Sequence, residues 1–186
     1  MKVAFLATDM VEQVELTEPW RAVEAEGWTP ELLSLRPGTI QGFEHYDKAN
    51  TFEVSATVEE ASPDDYEALV LPGGVGNPDE LRTDENAVAF VRAFVDAGKP
   101  VAAICHAPWA LVEAGAVRGR TLTSWPSLQT DIRNAGGTWV DEEVVRDGAL
   151  VTSRKPDDLP AFCRELVALL RSQPVSAGQE SAGERT

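Results

Sequence analysis

Three stretches, Lys2–Thr8, Glu67–Leu71 and the run from Val101 to Cys105, are apolar on nearly every residue and end abruptly. Short runs of that kind mark strands buried on both faces, the condition found in parallel sheets whose crossovers are helices. The segments between them change period. Leu16, Trp20 and Val23 fall at helical spacing before a stop at Gly27. Ala87, Val88, Val91, Phe94 and Val95 form an apolar helical stripe that ends at Gly98. The third run leads directly into Pro108-Trp109-Ala110-Leu111-Val112, a helix to about Ala114. An α/β chain with a mainly parallel central sheet covered on both faces follows. Such sheets hold ligands beyond the carboxyl ends of their strands, so the ends at Thr8, Leu71 and Ile104 face one crevice.

The remaining segments fill in this plan. Trp28–Leu35 reads as a second strand, Thr39–Val58 as a small hairpin or excursion, and Ser62-Pro63-Asp64-Asp65 as a single helical turn. The stretch Pro72-Gly73-Gly74-Val75-Gly76-Asn77-Pro78 reads as a loop. Thr121–Pro126 reads as a short strand and turn, and Leu128, Ile132 and Ala135 mark a helix stopped by Gly136-Gly137. Trp139–Val145 and Ala149–Thr152 flank Asp147-Gly148, a hairpin signal. Leu159, Phe162, Cys163, Leu166, Val167 and Leu170 form the stripe of a last helix, on which Cys163 is a packing residue. Residues 1–172 form a single domain in this reading, and residues 173–186, rich in Ser, Gly, Gln and Glu, form a frayed tail.

The third apolar run stops at Cys105 instead of passing through it. A strand turning sharply into a helix there puts the sulfur near free N–H groups and the positive end of a helix dipole. Both favour thiolate, which makes Cys105 a candidate low-pKa nucleophile; a buried structural cysteine is the competing assignment. His106 follows at once but cannot share the direction of Cys105 on a helix start, and a capping or solvated histidine is its alternative. Gly73 and Gly74 let backbone N–H groups point into the crevice, where an oxyanion could form; a tight turn requiring positive φ is compatible with that. Glu15, at the start of the first helix, could hydrogen-bond the sulfur or move a proton, or could simply favour the helix dipole. Asp79, after Pro78, is the nearest acid in the loops that could orient His106.

Several chemistries are excluded. There is no G-x-S-x-G elbow and no P-loop, and Gly74-Val75-Gly76 lacks the third glycine and the first-strand context of a dinucleotide fingerprint, so no cofactor is expected. The only histidines are His45 and His106, so a Cys-His-Glu glutaminase lacks its late histidine. Cys105, His106 and Glu15 offer no helical ligand pair, and no metal is expected. A net charge of −15 opposes binding to nucleic acid and to anionic membranes. Two cysteines without a C-x-x-C pattern, behind an amino terminus too short in apolar residues for a signal peptide, point to the cytoplasm.

Ala103-Ile104-Cys105-His106-Ala107-Pro108-Trp109 resembles the nucleophile motif of the DJ-1/PfpI superfamily, and more narrowly that of its PfpI-like intracellular proteases. Val14–Pro19, Leu69–Gly74 with Asn77-Pro78-Asp79, Asp141–Val145, and Thr152-Ser153-Arg154 with Asp158–Phe162 support the resemblance, which extends to about Arg171. It implies a flavodoxin-like three-layer sandwich, akin to class I glutamine amidotransferases, and a homodimer or higher homo-oligomer. It also implies Cys105 as nucleophile on a strained elbow with Glu15 beside it, and Gly74 and the His106 N–H as oxyanion donors. In the protease-like branch His106 pairs with an acid of a neighbouring subunit, and the matching position is Asp79. Two features depart from the family: Trp125 stands where a Tyr is frequent, and the loop before Asp79 is one residue longer than in some relatives. The implied activity is that of a cysteine-dependent stress enzyme. It acts on peptides, or as a glyoxalase or deglycase on small carbonyl compounds and their protein adducts. The alternative is a non-enzymatic oxidative-stress sensor or chaperone in which Cys105 is reversibly oxidised.

Overall fold

Period-2 alternation sorts the side chains of the central strands between two apolar layers. The computed structural model describes residues 1–173. Strand β1 (Lys2–Leu6) sends Val3 and Phe5 to one layer and Ala4 and Leu6 to the other, and all four are fully buried. The expected tail, from residue 174 onward, lies outside the described residues.

The other strands are β2 (Val11–Glu12), β3 (Thr29–Ser34), β4 (Thr39–Glu44), β5 (Asp47–Glu53), β6 (Ala56–Thr57), β7 (Ala68–Leu71), β8 (Val101–Ile104), β9 (Thr121–Leu122), β10 (Thr138–Trp139), β11 (Val144–Asp147) and β12 (Leu150–Ser153). The helices are α1 (Gln13–Ala25), α2 (Gly76–Leu81), α3 (Glu85–Asp96), α4 (Pro108–Glu113), α5 (Gln129–Asn134) and α6 (Leu159–Arg171). Seven strands form the main sheet in the order β11-β12-β8-β7-β1-β3-β6. All neighbours in it are parallel except β11 and β12. Leu16 and Val23 of α1 and Phe162, Leu166 and Leu169 of α6 cover one face. Phe90, Val91 and Phe94 of α3, Leu111 of α4 and Ile132 of α5 cover the other. Burial of each such side chain contributes roughly 1.5–3 kcal/mol, and the two layers together fix the sheet between them. The chain is therefore the α/β sandwich expected, with β1, β7 and β8 side by side and their carboxyl ends together.

A second sheet, β2-β4-β5, stands beyond those ends. Val11 and Glu12 pair in parallel with Gly42 and Phe43, which ties the β4–β5 hairpin to the segment leaving β1. A side chain at Gly42 would meet Phe52 at 2.8 Å and the Asn50 carbonyl at 3.0 Å, so the hairpin closes there only over glycine.

Two local expectations are corrected. The loop expected at Pro72–Pro78 becomes helical from Gly76, so Asp79 sits on α2 and not in a loop. The strand expected over Trp139–Val145 is broken at Asp141–Glu143: Trp139 ends a short pair with β9, and Val144 begins the hairpin strand paired with β12. Three adjacent exposed acids stand at the break, where like charges side by side disfavour strand pairing; the first of them, Asp141, turns instead to Arg154 at 2.8 Å. Among the described residues no helix is long and apolar enough to cross a membrane.

Candidate active site

The turn from β8 into α4 is built on a left-handed residue. Cys105 has φ +63°, a conformation that costs a residue bearing Cβ about 1–2 kcal/mol. Its surroundings hold it there. The Cys105 N–H donates to the Ser153 carbonyl at 3.0 Å, and the Trp125 N–H donates to the Cys105 carbonyl at 2.8 Å. The Ala107 N–H closes the turn onto the Ile104 carbonyl at 3.1 Å. The thiol is thereby held at the end of β8, where Cys105 is 5% exposed.

The reversed backbone also brings adjacent side chains together. Cys105 Sγ lies 3.1 Å from His106 Nδ1, so the expectation that the two point apart is overturned. That expectation presumed a regular helix start, which positive φ at Cys105 removes. Burial pushes the His106 imidazole down to about 4, so at neutral pH the ring is uncharged and Nδ1 can accept a proton from the thiol. The other face of the ring is also fixed: Trp125 stacks on it with centroids 5.4 Å apart and planes 21° from parallel.

Glu15 is fully buried beneath the sulfur. The Gly73 N–H donates to its Oε2 at 2.9 Å, whereas Oε1 has no hydrogen-bond partner. Burial, reinforced by the charge of Glu12, pushes the Glu15 carboxyl up to about 8, so it carries a proton at neutral pH. The thiol does not behave as the helix terminus alone suggests. Burial pushes it up, and an ionised Glu15 would push it further, while the N–H groups of Gly74 and His106 pull it down. Helix α4 has only six residues, starting at Pro108, and its dipole does not offset the desolvation of the sulfur. At neutral pH the proton therefore stays on sulfur.

The two glycines divide their work. The Gly73 N–H is taken by Glu15 and is not free for an oxyanion, which corrects its expected role. A Cβ on Gly73 would also collide with Glu15 Oε2, and would lie 2.6 Å from the Cys105 Cβ and 2.7 Å from the Ile104 carbonyl. Gly74 has φ +83° and directs its N–H at the sulfur, as does His106. Asn77, part of a stretch that carried the resemblance but to which no role was assigned, staples this loop. Its Nδ2 donates to the carbonyls of Pro72 at 2.9 Å and Gly73 at 3.0 Å, and its Oδ1 accepts from the Thr8 N–H at 2.8 Å.

The sulfur faces a pocket of about 450 Å³. Met10, Glu12, Phe43, His45, Tyr46, Val75 and Trp125 wall it. Phe43, His45 and Tyr46 come from the β4–β5 hairpin, which alternation alone does not assign to any site. Asp79 does not line this pocket; it is exposed on α2, and its carboxylate makes no hydrogen bond or ion pair among the described residues. No group of three His, Cys, Asp or Glu among the described residues could hold a metal ion. Cys163 is half-buried on α6, and burial pushes its thiol up to about 12.

Residues 1–169 match the DJ-1/PfpI family. Over 171 residues the chain is 43% identical to Deglycase PfpI of Pyrococcus furiosus, a match spanning 92% of this chain and 100% of that protein. Over 171 residues it is 42% identical to Protein/nucleic acid deglycase 2 of Escherichia coli, spanning 91% of this chain and 97% of that one. A crystal structure of a two-domain protein from Anabaena variabilis, with DJ-1/ThiJ/PfpI-like and ferritin-like domains, superposes with a TM-score of 0.86 at 32% identity. That match covers 100% of this chain, which spans 53% of the two-domain protein. Drosophila melanogaster DJ-1beta shares the fold, with a TM-score of 0.81 at 24% identity over 90% of this chain and 89% of its own. With its elbow cysteine, paired glycines and sandwich of helices about a parallel sheet, the chain belongs to the DJ-1/PfpI family.

Proposed function

We propose that this protein is a cysteine-dependent enzyme of the deglycase type, which adds the Cys105 sulfur to the carbonyl of a small reactive-carbonyl adduct. The observation that carries the reading is the sulfur on the floor of a pocket of about 450 Å³, with a neutral imidazole nitrogen 3.1 Å away. As sulfur bonds to the carbonyl carbon, the thiol proton passes to His106 Nδ1 and the π electron pair moves onto oxygen. The N–H groups of Gly74 and His106 are placed to stabilise that oxygen, which takes the proton back from His106 to give a hemithioketal. The adjacent carbinol then collapses to a carbonyl as its C–N bond breaks, protonated Glu15 giving the leaving nitrogen a proton and taking up the carbinol proton. Reversal of the hemithioketal returns the proton to sulfur and frees the carbonyl fragment. A pocket of this size suits a side chain bearing a two- or three-carbon adduct better than an extended peptide, which sets deglycation above peptide cleavage. The reading treats residues 1–172 as one domain acting in the cytoplasm, consistent with two free thiols. In a homo-oligomer, Asp79 of a neighbouring copy would orient His106.

A panel of methylglyoxal adducts of blocked amino acids, beside fluorogenic peptide amides, tests this. The wild type should turn over the adducts faster than the peptides, and Cys105→Ala should abolish that turnover with the fold intact. Parent-level turnover by Cys105→Ala rejects the proposal. A second reading rests on Glu15 Oε1, buried and unpartnered beside the sulfur, where it could stabilise an oxidised thiol. Selective oxidation of Cys105 by mild peroxide, seen by intact mass, with no turnover of any panel member would favour that sensor.

A further inference from the structure

One wall of the pocket carries an uncompensated negative charge. Glu12 is 9% exposed and lines the cavity. Its Oε2 accepts from the His45 N–H at 3.0 Å, and its other oxygen has no hydrogen bond among the described residues. Glu12 forms no ion pair there, and no Lys or Arg lines the pocket. A carboxylate so enclosed is stabilised when a cation enters beside it. Aromatic surface stands in the same pocket: Trp125, stacked on His106, is still 38% exposed, and Tyr46 at the rim is 96% exposed. Flat aromatic faces favour a flat cation, and a carboxylate favours a forked pair of N–H donors. A guanidinium meets both conditions; an ammonium meets only the charge, and a thiol adduct meets neither. The net charge of −15 raises the concentration of cations around the protein as a whole.

We infer that Glu12 and Trp125 make this pocket selective for carbonyl adducts carried on a guanidinium, so that arginine adducts are the preferred substrates. The inference rests on the carbonyl-adduct reading of the site and names which adducts that site takes. Glu12 acts on substrate recognition, because it lies outside the shell of groups that touch the sulfur. The titratable groups nearest it are Glu15 on α1 and the His45 and His106 side chains of the same pocket, and its charge acts on Glu15, so its replacement also alters the field there. Selectivity between two substrates cancels that common effect.

The test compares kcat/KM for the methylglyoxal adducts of N-acetylarginine methylamide and N-acetylcysteine methylamide, in wild type and in Glu12→Gln. The amide keeps an acceptor for the His45 N–H and removes the charge. The wild type should prefer the arginine adduct, and Glu12→Gln should lower the arginine-to-cysteine ratio by about tenfold or more, through KM of the arginine adduct. An unchanged ratio overturns the inference. A second arm needs no turnover: N-acetylarginine methylamide should protect Cys105 from iodoacetamide about tenfold better than the uncharged citrulline analogue, and Glu12→Gln should erase the difference. Equal protection by the two compounds in wild type also overturns it. If neither adduct is turned over while arginine-selective protection persists, the deglycase reading fails and the charge selectivity stands.

Discussion

The Sγ of Cys105 and the Nδ1 of His106 are 3.1 Å apart, although the two residues are consecutive in the chain. In a strand or a helix, consecutive side chains diverge. Here φ of +63° at Cys105 turns them toward one another, and hydrogen bonds from Cys105 to Ser153 and from Trp125 to Cys105 hold the turn. Local backbone strain thus places a thiol and an imidazole nitrogen in contact, with neither group supplied by a distant loop. His106→Ala should lower kcat on a carbonyl adduct about 10²–10⁴-fold, the usual contribution of a positioned base. Circular dichroism should show the fold retained, since the ring packs mainly against Trp125 and Trp109 at the pocket edge. A variant within twofold of wild type would remove His106 from the chemistry.

The two perturbed groups around the sulfur give opposite limbs to its pH dependence. Below about 4 His106 is protonated and cannot accept the thiol proton; above about 8 Glu15 loses its proton and places a negative charge against the forming thiolate. Iodoacetamide labelling of Cys105, followed on its own peptide, should rise through the first value and fall back through the second. Glu15→Gln should abolish the fall and leave the rise. A steady increase with pH, as for a free thiol with no inflection, would contradict the assignment of both groups.

Gly73 has no room for a methyl group. Its Cβ would press on Glu15, on the Cys105 Cβ at 2.6 Å and on the Ile104 carbonyl at 2.7 Å, all fully or nearly fully buried. Gly73→Ala should cost about 1–3 kcal/mol of stability by overpacking, measured by chemical denaturation. Activity should fall by more than the loss of folded protein explains, because the clash shifts the backbone N–H that fixes Glu15 and presses on Cys105. A neutral substitution would show that the loop adapts freely.

An Asp79 that orients His106 across a subunit boundary has a distinctive genetic signature. Asp79→Asn and Cys105→Ala should each be strongly impaired alone. Dissociated and reassociated together, they should recover activity, because mixed oligomers contain some sites with an intact Cys105 and an intact Asp79. Recovery absent at every mixing ratio, with mixed assembly confirmed by native mass spectrometry, would place Asp79 outside the site.

Most of the fold was legible because its determinants are local. Apolar runs such as Val101–Ile104 and stripes such as Leu159–Leu170 carry their periods in the chain, and burial on both faces follows from them. The elbow was legible as a place, since the run stops at Cys105, and its strain and its Glu15 neighbour were implied by the family resemblance, but the contacts it makes were not. No residue type announces a left-handed cysteine, so the contact with His106 and the engagement of Gly73 by Glu15 were invisible. The ionisation of the thiol was misread for a related reason: a helix terminus is written in sequence, whereas the depth of burial that opposes it is a tertiary property. The hairpin wall of Phe43, His45 and Tyr46 was missed because only the two-residue strand β2 ties the hairpin to the segment leaving β1, and a two-residue ladder carries no periodic signal.

The most direct measurement is the mass of the protein caught in turnover. Wild type mixed with a methylglyoxal adduct, quenched in acid within seconds and digested should carry the added carbonyl fragment on the Cys105 peptide alone. Cys163, half-buried on α6 and away from the pocket, should remain unmodified, and Cys105→Ala should show neither the adduct nor the released product. Product formation at the wild-type rate by Cys105→Ala, or a covalent fragment on a residue other than Cys105, would contradict the account at its centre.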